Sequence, residues 1–301
     1  MPTKSTDNFK SGFVAILGRP NVGKSTLLNN LIGEKIAIVT HKPQTTRSRI
    51  LGVLNNKKFQ VVFIDTPGIH KPIHKLGEFL VRKAYSSIKD SDINILIIDA
   101  KDGLIQEDIE IIEKVARKSD APSILAVNKI DVNPNINIDE IGEKVRAIFP
   151  IKSIIPISAL KGTNLNLLLG TIVENLPNGP KYYDDDFLTD VSEAQIAAEI
   201  IREKLILTLH QEVPYQSAVV VETFEPKNDN PKILHIQANI IVARPGQKAL
   251  VIGSRGKTIK KIGTSARIEL EKIFEKKIFL ELWVKIRPDW FKNDKLIREY
   301  S

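Results

Sequence analysis

A glycine-rich segment near the N-terminus has the residue types and spacing of a phosphate-binding loop. Gly18-Arg19-Pro20-Asn21-Val22-Gly23-Lys24-Ser25 fits the pattern GxxxxGK[ST], and it lies between a β-branched run and a helical pattern. In such a loop, backbone N–H groups converge on phosphate oxygens, a lysine adds a positive charge and a serine hydroxyl ligates Mg²⁺. We therefore expect this loop, with Thr26, to bind nucleotide phosphates, and a chance glycine-rich turn is the alternative.

Three further motifs follow predicted strands. Asp65-Thr66-Pro67-Gly68 can hold Mg²⁺ through water with its carboxylate and meet a γ-phosphate with the Gly68 N–H. Asn128-Lys129-Ile130-Asp131 offers a carboxylate for guanine N1 and N2, a lysine stem for the purine face and an amide that braces the loop. Ser158-Ala159-Leu160 would place a backbone N–H on guanine O6. The four motifs in this order predict a guanine-nucleotide site with Mg²⁺.

The elements that must position these motifs alternate between strand and helix from Phe13 to about Leu176, which is typical of a mostly parallel α/β sheet flanked by helices. The predicted strands are 13–17, 49–54, 60–64, 93–99, 123–127 and 154–157, and the predicted helices are 24–32, 77–88, 107–118, 139–148 and 165–174. Because no helix fits between the second and third strands, we expect them to form an antiparallel hairpin.

The character of the chain changes at Pro177-Asn178-Gly179-Pro180, where turn residues cluster. We therefore expect a GTP-binding domain over residues 1–180, and a linker plus a smaller α+β domain over residues 181–301. The second domain is predicted to contain a helix at 192–211, strands at 218–225 and 233–243, helices at 247–252 and 257–275, and a strand at 279–286. The acidic run Asp184–Asp186 is expected to be a solvated linker.

A strongly basic stretch lies inside this second domain. Between Pro231 and Arg267 the chain has eight basic residues and no acidic one. Its centre is Gly253-Ser254-Arg255-Gly256, a GxxG turn between two predicted helices, which would let the backbone approach nucleic-acid phosphates. With the order of elements around it, the turn resembles that of a KH domain of the prokaryotic type, whereas a capped helix–helix turn is the alternative. The residues that this resemblance implies in RNA binding are Gly253, Ser254, Arg255, Gly256, Lys257, Lys260 and Lys261.

Aromatic residues of the second domain could stack on bases or pack in the core. Trp283 alternates with Leu282 and Val284 on a predicted strand, so we expect it in the core. For Trp290 and Phe291 both roles stay open.

The N-terminal motifs cover residues 18–160 and resemble those of translation-factor-related P-loop GTPases. The resemblance implies that a threonine of the first switch completes the Mg²⁺ shell, and within Gln44-Thr45-Thr46-Arg47 it points to Thr46. Lys24, Thr46 and Gly68 are therefore the candidate catalytic groups, and the metal ligands would be Ser25, Thr46 and, through water, Asp65.

One position departs from the Ras-like pattern. Ras-like enzymes have a glutamine after the DxxG glycine that orients the attacking water, whereas this chain has Ile69. We expect slow intrinsic hydrolysis, with water activation by backbone, a bound cation or a partner. In related GTPases with an apolar residue there, the equivalent of Asn21 helps to bind K⁺, so K⁺ is a candidate cofactor. A turn residue without a ligand is the alternative.

The composition of the chain excludes several functional classes of protein. The chain has 301 residues, a net charge of +8 and no cysteine. It therefore lacks disulfides, thiolate zinc sites and a cysteine nucleophile, while the basic balance suggests a polyanionic partner. No signal-peptide pattern occurs at the N-terminus, and the longest apolar run is too short to cross a bilayer. We expect a soluble or peripheral protein.

A GTPase followed by a KH domain, over almost the whole chain, resembles the Era family of bacterial ribosome-assembly GTPases. The resemblance implies GTP hydrolysis, binding near the 3′ end of 16S ribosomal RNA and help in assembling the small ribosomal subunit. It also implies a cytoplasmic monomer that in some cases associates peripherally with the inner membrane. Two alternatives stay open: a non-hydrolytic RNA-binding scaffold with a sensing nucleotide site, and a GTPase acting on another RNA or on a membrane partner.

Overall fold

The computed structural model describes residues 9–40, 42, 45–69, 72, 75–209 and 213–300. The chain divides into two compact units, which are interleaved in sequence. Within the described residues, the first unit comprises 9–37, 46–69 and 79–190, and the second comprises 38–40, 42, 45, 72, 75–78, 191–209 and 213–300. The second unit thus contains two short segments from the N-terminal half of the chain.

The first unit is an α/β fold built on a six-stranded sheet. Its strands are β1 (Lys10–Gly18), β2 (Ile50–Asn55), β3 (Phe59–Asp65), β4 (Ile93–Asp99), β5 (Ser123–Asn128) and β6 (Ser153–Ile157), and its helices are α1 (Lys24–Ile32), α2 (Lys75–Ser86), α3 (Gln106–Ala116), α4 (Ile138–Arg146) and α5 (Leu165–Asn175). The strand order is β2-β3-β1-β4-β5-β6, and only β2 runs antiparallel to its neighbour. The predicted hairpin and mostly parallel sheet are confirmed. The first turn of α2 is the exception to this grouping, because 75–78 belong to the second unit.

Burial explains the apolar character of the central strands. Every residue of β4 is buried, as expected for a parallel strand with helices on both faces. Ile111 and Val115 of α3 pack on one face together with Leu96 and Ile98. Because parallel strands bring their carboxyl ends to one edge, the loops after β1, β3, β4, β5 and β6 lie at a common edge.

The acidic run Asp184–Asp186 is exposed, as expected, but the segment around it is part of the first unit and not a linker. The backbone N–H of Val53 in β2 donates to the carbonyl of Leu188 at 2.8 Å, and Thr189 forms an antiparallel bridge with Gly52. The Gln60 carboxamide donates to the carbonyl of Tyr183 and accepts from the N–H of Tyr182. The unit therefore runs to residue 190, and this segment covers the edge strand β2, which would otherwise present unpaired backbone groups.

The second unit is an α+β fold. Its elements are α6 (Glu193–Thr208), β7 (Ala218–Lys227), β8 (Asn230–Val242), α7 (Pro245–Ile252), α8 (Lys257–Ile273), β9 (Lys277–Ile286) and α9 (Asp294–Tyr300), with short 3₁₀ turns at Val213–Gln216, Ser254–Gly256 and Trp290–Lys292. In the sheet β7-β8-β9, β7 and β8 are antiparallel and β8 and β9 parallel. The predicted helix–strand–strand–helix–helix–strand order is correct, and α9 is an additional helix.

The described residues of the segment 38–45, which are 38–40, 42 and 45, belong to this second unit. Ile38 is buried in its core beside Ala197 and Ile201 of α6. The Lys42 ammonium donates to the carbonyls of Ile206 (2.6 Å) and Leu209 at the C-terminal end of the same helix. Lysine caps helix carbonyls in this way because the C-terminal end carries partial negative charge.

Within the part of the chain that the structure describes, no helix combines the length and apolar character needed to cross a bilayer.

Candidate functional site

The phosphate-binding loop joins β1 to α1 in the first unit. Gly18 ends β1 and Lys24 begins α1, so the predicted strand–loop–helix context is present. Gly23 has a φ of +102°, and a Cβ there would collide with Nδ2 of Asn128. Only glycine therefore permits both the left-handed turn and the close approach of the two loops. Val22 beside it is buried, and Thr26 lies in the first turn of α1.

Lys24 points back into its own loop. The residue is 5% exposed, and its ammonium donates to the carbonyl oxygens of Gly18 (3.1 Å) and Arg19 (2.8 Å). Burial lowers the pKa of Lys24 to about 8, although the nearby carboxylate of Asp65 acts in the opposite direction. A negatively charged phosphate beside this ammonium would favour its charged form.

Three oxygen-bearing side chains from separate elements meet next to Lys24. The Ser25 hydroxyl donates to Oδ2 of Asp65 (2.7 Å) and lies 2.8 Å from Oγ1 of Thr46. Asp65 is fully buried, and its Oδ1 has no hydrogen-bond partner among the described residues. Burial raises the pKa of Asp65 to about 6, while Lys24 and Ser25 act in the opposite direction. Hydroxyl and carboxylate oxygens are what Mg²⁺ prefers, and the unpartnered buried oxygen fits such an ion. Gln44 of the first-switch motif lies outside the described residues.

Gly68 packs directly on the phosphate-binding loop. A Cβ at this position would lie 2.7 Å from Cα of Pro20. The next residue, Ile69, donates its N–H to the carbonyl of Gly18 at 3.1 Å, and its side chain is buried in the core. An apolar side chain enclosed in this way cannot hydrogen-bond an attacking water, so that task falls to other groups.

The base-recognition motifs form one hydrogen-bonded cluster. The Asn128 carboxamide donates to the carbonyl of Val22 (2.7 Å) and accepts from the N–H of Ala159 (2.8 Å). Asp131 accepts from the hydroxyl of Ser158 at 2.5 Å. These contacts join the fifth- and sixth-strand loops to the phosphate-binding loop. Leu160 is 70% exposed, so its side chain takes no part in the cluster.

Sequence reasoning missed Arg19 and the acidic side chains that brace these loops. Arg19 donates to Asp108 of α3 at 2.8 Å and pairs with Asp102 at 3.3 Å. Lys129 pairs with Asp99, the last residue of β4. Because Asp99 ends a buried strand, its position at the carboxyl edge of the sheet was the available signal.

The GxxG turn lies between α7 and α8 in the second unit. Gly253 and Gly256 have φ values of +72° and +75°, and Arg255 has +51°. A Cβ on Gly253 would collide with Oγ1 of Thr258. The turn is therefore tight at its first glycine. Ser254 and Arg255 are both exposed at its tip.

A groove of about 460 Å³ lies between α8 and β9. Its lining residues are Ile259, Lys260, Gly263, Thr264, Arg267, Leu280 and Leu282. Apolar walls with two cations and, among the described lining residues, no acid fit splayed bases and their phosphates. Of the predicted RNA-binding lysines in the described residues, Lys260 alone lines this groove. Lys257 and Lys261 line a separate cavity beside Thr208 and Leu250. Sequence reasoning missed Arg267 and the two leucines, whose contribution depends on tertiary packing.

The aromatic residues differ from expectation. Trp283 is 56% exposed, so its predicted core position is wrong. It lies on the opposite face of β9 from Ile278 and Val284, which are buried, and α8 packs on that buried side. Trp290 and Phe291 are buried, and the Trp290 indole donates to the carbonyl of Gln216 at 2.8 Å. These two residues are therefore core, not base-stacking, side chains.

Comparison with known protein families matches both parts of the chain. Residues 13–129 match the family described as 50S ribosome-binding GTPase, and residues 212–291 match the KH domain family. Among solved structures, one of Era in complex with MgGDPNP and nucleotides 1506–1542 of 16S ribosomal RNA superposes with a TM-score of 0.93 and 41% identity. That match covers 97% of this chain and 99% of the other. A single-residue variant of Aquifex aeolicus Era bound to GDP·AlF₄⁻ gives the same values.

Curated relatives agree over nearly the full length. GTPase Era of Syntrophus aciditrophicus is 47% identical over 97% of this chain and 95% of its own length. GTPase Era of Ruminiclostridium cellulolyticum is 44% identical and is covered to 97% on both sides. With the nucleotide-binding motifs assembled at one edge of the sheet and the GxxG groove in the second unit, this similarity shows that the chain belongs to the Era family of GTPases.

Proposed function

We propose that this protein is a GTP-hydrolysing switch that binds the 3′ region of 16S ribosomal RNA and assists assembly of the small ribosomal subunit. The main support for RNA binding is the groove beside the GxxG turn, which has apolar walls and the cations Lys260 and Arg267. A close structural relative was solved with MgGDPNP and nucleotides of that RNA. We infer a cytoplasmic location, while membrane association and the monomeric state stay predictions from the resemblance alone.

Hydrolysis follows from the phosphate-binding loop and its neighbours. Lys24 would place its charge on the β- and γ-phosphate oxygens, and the Gly68 N–H would hydrogen-bond the γ-phosphate. Ser25, Thr46 and Asp65 would hold Mg²⁺, which supplies neutralising charge when bound. These residues favour in-line attack by water mainly through positioning and electrostatics.

Guanine selection would come from the clustered loops after β5 and β6. Asp131 can accept two hydrogen bonds from guanine N1 and N2, and a backbone N–H of the loop Ser158-Ala159-Leu160 can donate to O6. Adenine would leave those polar groups unpaired. Asn128 and Ser158, which are also predicted to contact the nucleotide, belong to the same cluster, and the Lys129 ammonium bonds the carbonyl of Asn21 in the phosphate-binding loop.

Water activation distinguishes this protein from Ras-like enzymes. Since Ile69 is buried and cannot orient the attacking water, we expect K⁺ near Asn21 to stabilise part of the negative charge that develops on the phosphates in the transition state. GTPase rates should then be about tenfold higher in KCl than in NaCl at equal ionic strength. Equal rates in the two salts would exclude this role of K⁺.

Coupling between nucleotide and RNA would pass through the segment 38–45. The Arg202 guanidinium of α6 donates to the carbonyl of Thr45, the residue before the proposed ligand Thr46. Ordering of Thr46 by a γ-phosphate would therefore act on a segment whose described residues Ile38, Lys42 and Thr45 contact the RNA-binding unit.

The test is crosslinking and sequencing of bound RNA with a GTP analogue and with GDP. We expect 3′ 16S sequences to be recovered preferentially in one nucleotide state and lost in Gly253→Asp and Gly256→Asp. Unchanged crosslinking in those variants would refute RNA binding through GxxG. Identical recovery in both states would favour the scaffold alternative, and enrichment of another RNA would favour a different partner.

A further inference from the structure

Asp99 occupies a position at the nucleotide site that none of the recognised motifs includes. It is the last residue of β4 and lies beside Asn128 in the register of the sheet. Its side chain is 9% exposed. One carboxylate oxygen, Oδ2, lies 2.5 Å from the ammonium of Lys129, and the other accepts the backbone N–H of Lys101 at 2.9 Å. Both oxygens of this buried carboxylate are therefore used.

Lys129 is the residue whose stem should lie on the purine face. Its ammonium is held at two points, by Asp99 and by the carbonyl oxygen of Asn21 at 2.7 Å. Its backbone has a φ of +68°, a conformation that a residue other than glycine seldom adopts. The stem thus spans from the base-recognition loop to the phosphate-binding loop with both ends fixed.

The backbone around this pair is also bonded across the two loops. The N–H of Ala100 donates to the carbonyl of Asn128 at 2.7 Å, and the Asn133 carboxamide donates to the carbonyl of Ala100 at 2.9 Å. The backbone segments that carry Asp99 and Lys129 are therefore fixed relative to each other. A charged hydrogen bond between them then limits a side chain that is otherwise flexible along its four-carbon stem.

We propose that Asp99 is a positioning residue for guanine-nucleotide binding, which acts by holding the Lys129 ammonium so that the lysine stem is already in place for the purine ring. This inference rests on the proposed guanine-nucleotide site and adds a residue to it. Because the Lys101 N–H and the Lys129 ammonium already engage both oxygens of Asp99, the proposal gives it no direct contact with the nucleotide. Its contribution reaches the base only through Lys129, so the two residues must act as one unit.

The test uses the full chain and fluorescence titration with N-methylanthraniloyl-GDP. Asp99→Asn keeps the size and one acceptor oxygen but loses the charge, and we expect affinity to fall on the order of tenfold. Lys129→Met keeps an apolar stem without the ammonium and should lose a similar factor. The double variant should bind no more weakly than Lys129→Met alone, because the two changes remove the same interaction.

Two further variants complete the design. Asp120→Asn removes an exposed carboxylate from the loop before β5 and should bind as the unmodified chain does. If Asp99→Asn fails to fold, Asp99→Glu replaces it. This change should alter affinity in the chain that keeps Lys129 and leave affinity unchanged in the chain that already carries Lys129→Met.

The possible results distinguish failure of the proposal from failure of the site beneath it. Binding of Asp99→Asn within twofold of the unmodified chain would overturn the proposal, and so would a further tenfold loss in the double variant. Failure of the unmodified chain to bind the GDP probe would instead refute the guanine-nucleotide site on which the proposal rests.

Discussion

Lys24 and Asp65 place opposite charges in one buried site, and burial acts against both. The pKa of Lys24 falls to about 8 and that of Asp65 rises to about 6, so each group is costly to keep charged. Each partly compensates the other, but Oδ1 of Asp65 has no hydrogen-bond partner within the described part of the chain. A phosphate beside the ammonium and a cation beside the carboxylate would supply the remaining charge. The site is thus arranged so that its ligands complete its electrostatics.

Gly23→Ala should abolish measurable GDP binding, because the new Cβ would collide with the Asn128 carboxamide at a φ of +102°. The matched control is Gly33→Ala, which has a φ of +86° but no described atom within 4 Å of the added Cβ. The control carries the backbone strain, of about 1 kcal/mol, without the collision and should bind GDP normally. Isothermal titration calorimetry distinguishes them, and equal affinities in both variants would contradict the steric explanation.

The residues found from sequence and those missed differ in how locally their roles are encoded. Lys24, Ser25 and Asp131 belong to short motifs whose spacing alone states the chemistry. Asp108 and Arg19 are 89 positions apart in the sequence, and the local pattern around either residue does not predict their contact. Such pairings become visible only when the sheet brings its strand ends together.

At the scale of elements, the alternation of strands and helices was sufficient to predict the parallel sheet and the GxxG-containing unit. Pattern alone failed for Trp283, because a strand's alternation tells which residues share a face but not which face is covered. Helix α8 covers the side of Ile278 and Val284, which leaves Trp283 exposed. The helix α9 was missed because its seven residues are too few for a clear periodic pattern.

The contact between the phosphate-binding loop and α3 is a buried ion pair that can be tested by its energetics. Asp108 has a side chain only 1% exposed, and burial raises its pKa while Arg19 acts in the opposite direction. Arg19→Met would leave that carboxylate without its cation and should destabilise α3 by about 3 kcal/mol, the low end for a buried pair because Arg19 is itself partly exposed. Adding Asp108→Asn should restore at least half of this loss, because the uncompensated charge is then gone. Native-state hydrogen exchange measures the stability of α3 in the single and the double variants. If the losses of stability from the two substitutions simply add, an uncompensated charge is not the cause.

The groove between α8 and β9 leads to a prediction about the salt dependence of RNA binding. Lys260→Ala and Arg267→Ala should each weaken binding of single-stranded 3′ 16S RNA by about tenfold. Each should also reduce the slope of log K against log salt by about 0.7, the value expected for one lost phosphate contact on a single strand. Lys276→Ala removes an exposed lysine outside the groove and should leave the slope unchanged. An equal decrease in all three variants would indicate only general charge attraction.

At the scale of the whole molecule, net charge is a poor guide to where a polyanion binds. The chain carries +8, yet the eight basic residues between Pro231 and Arg267 are uninterrupted by acids while the rest of that domain is rich in them. The segment 38–45 is a second place where the distribution of charge matters and the net charge does not show it. It is acid-free and adjoins Thr46 in sequence, and its described residues Ile38 and Lys42 contact α6 in the second unit.

Lys42→Met tests whether this segment couples the two activities. The ammonium caps the carbonyls of Ile206 and Leu209, and its loss would free the segment from the end of α6. We expect the ratio of RNA affinities with a GTP analogue and with GDP to move toward one by about tenfold, as a typical coupling free energy of about 1–3 kcal/mol allows. Lys57→Met removes an exposed lysine from the hairpin between β2 and β3 and should leave the ratio unchanged. Because GxxG and the groove are untouched, a loss of RNA affinity that is equal in both nucleotide states would show that Lys42 supports RNA binding without coupling it to the nucleotide.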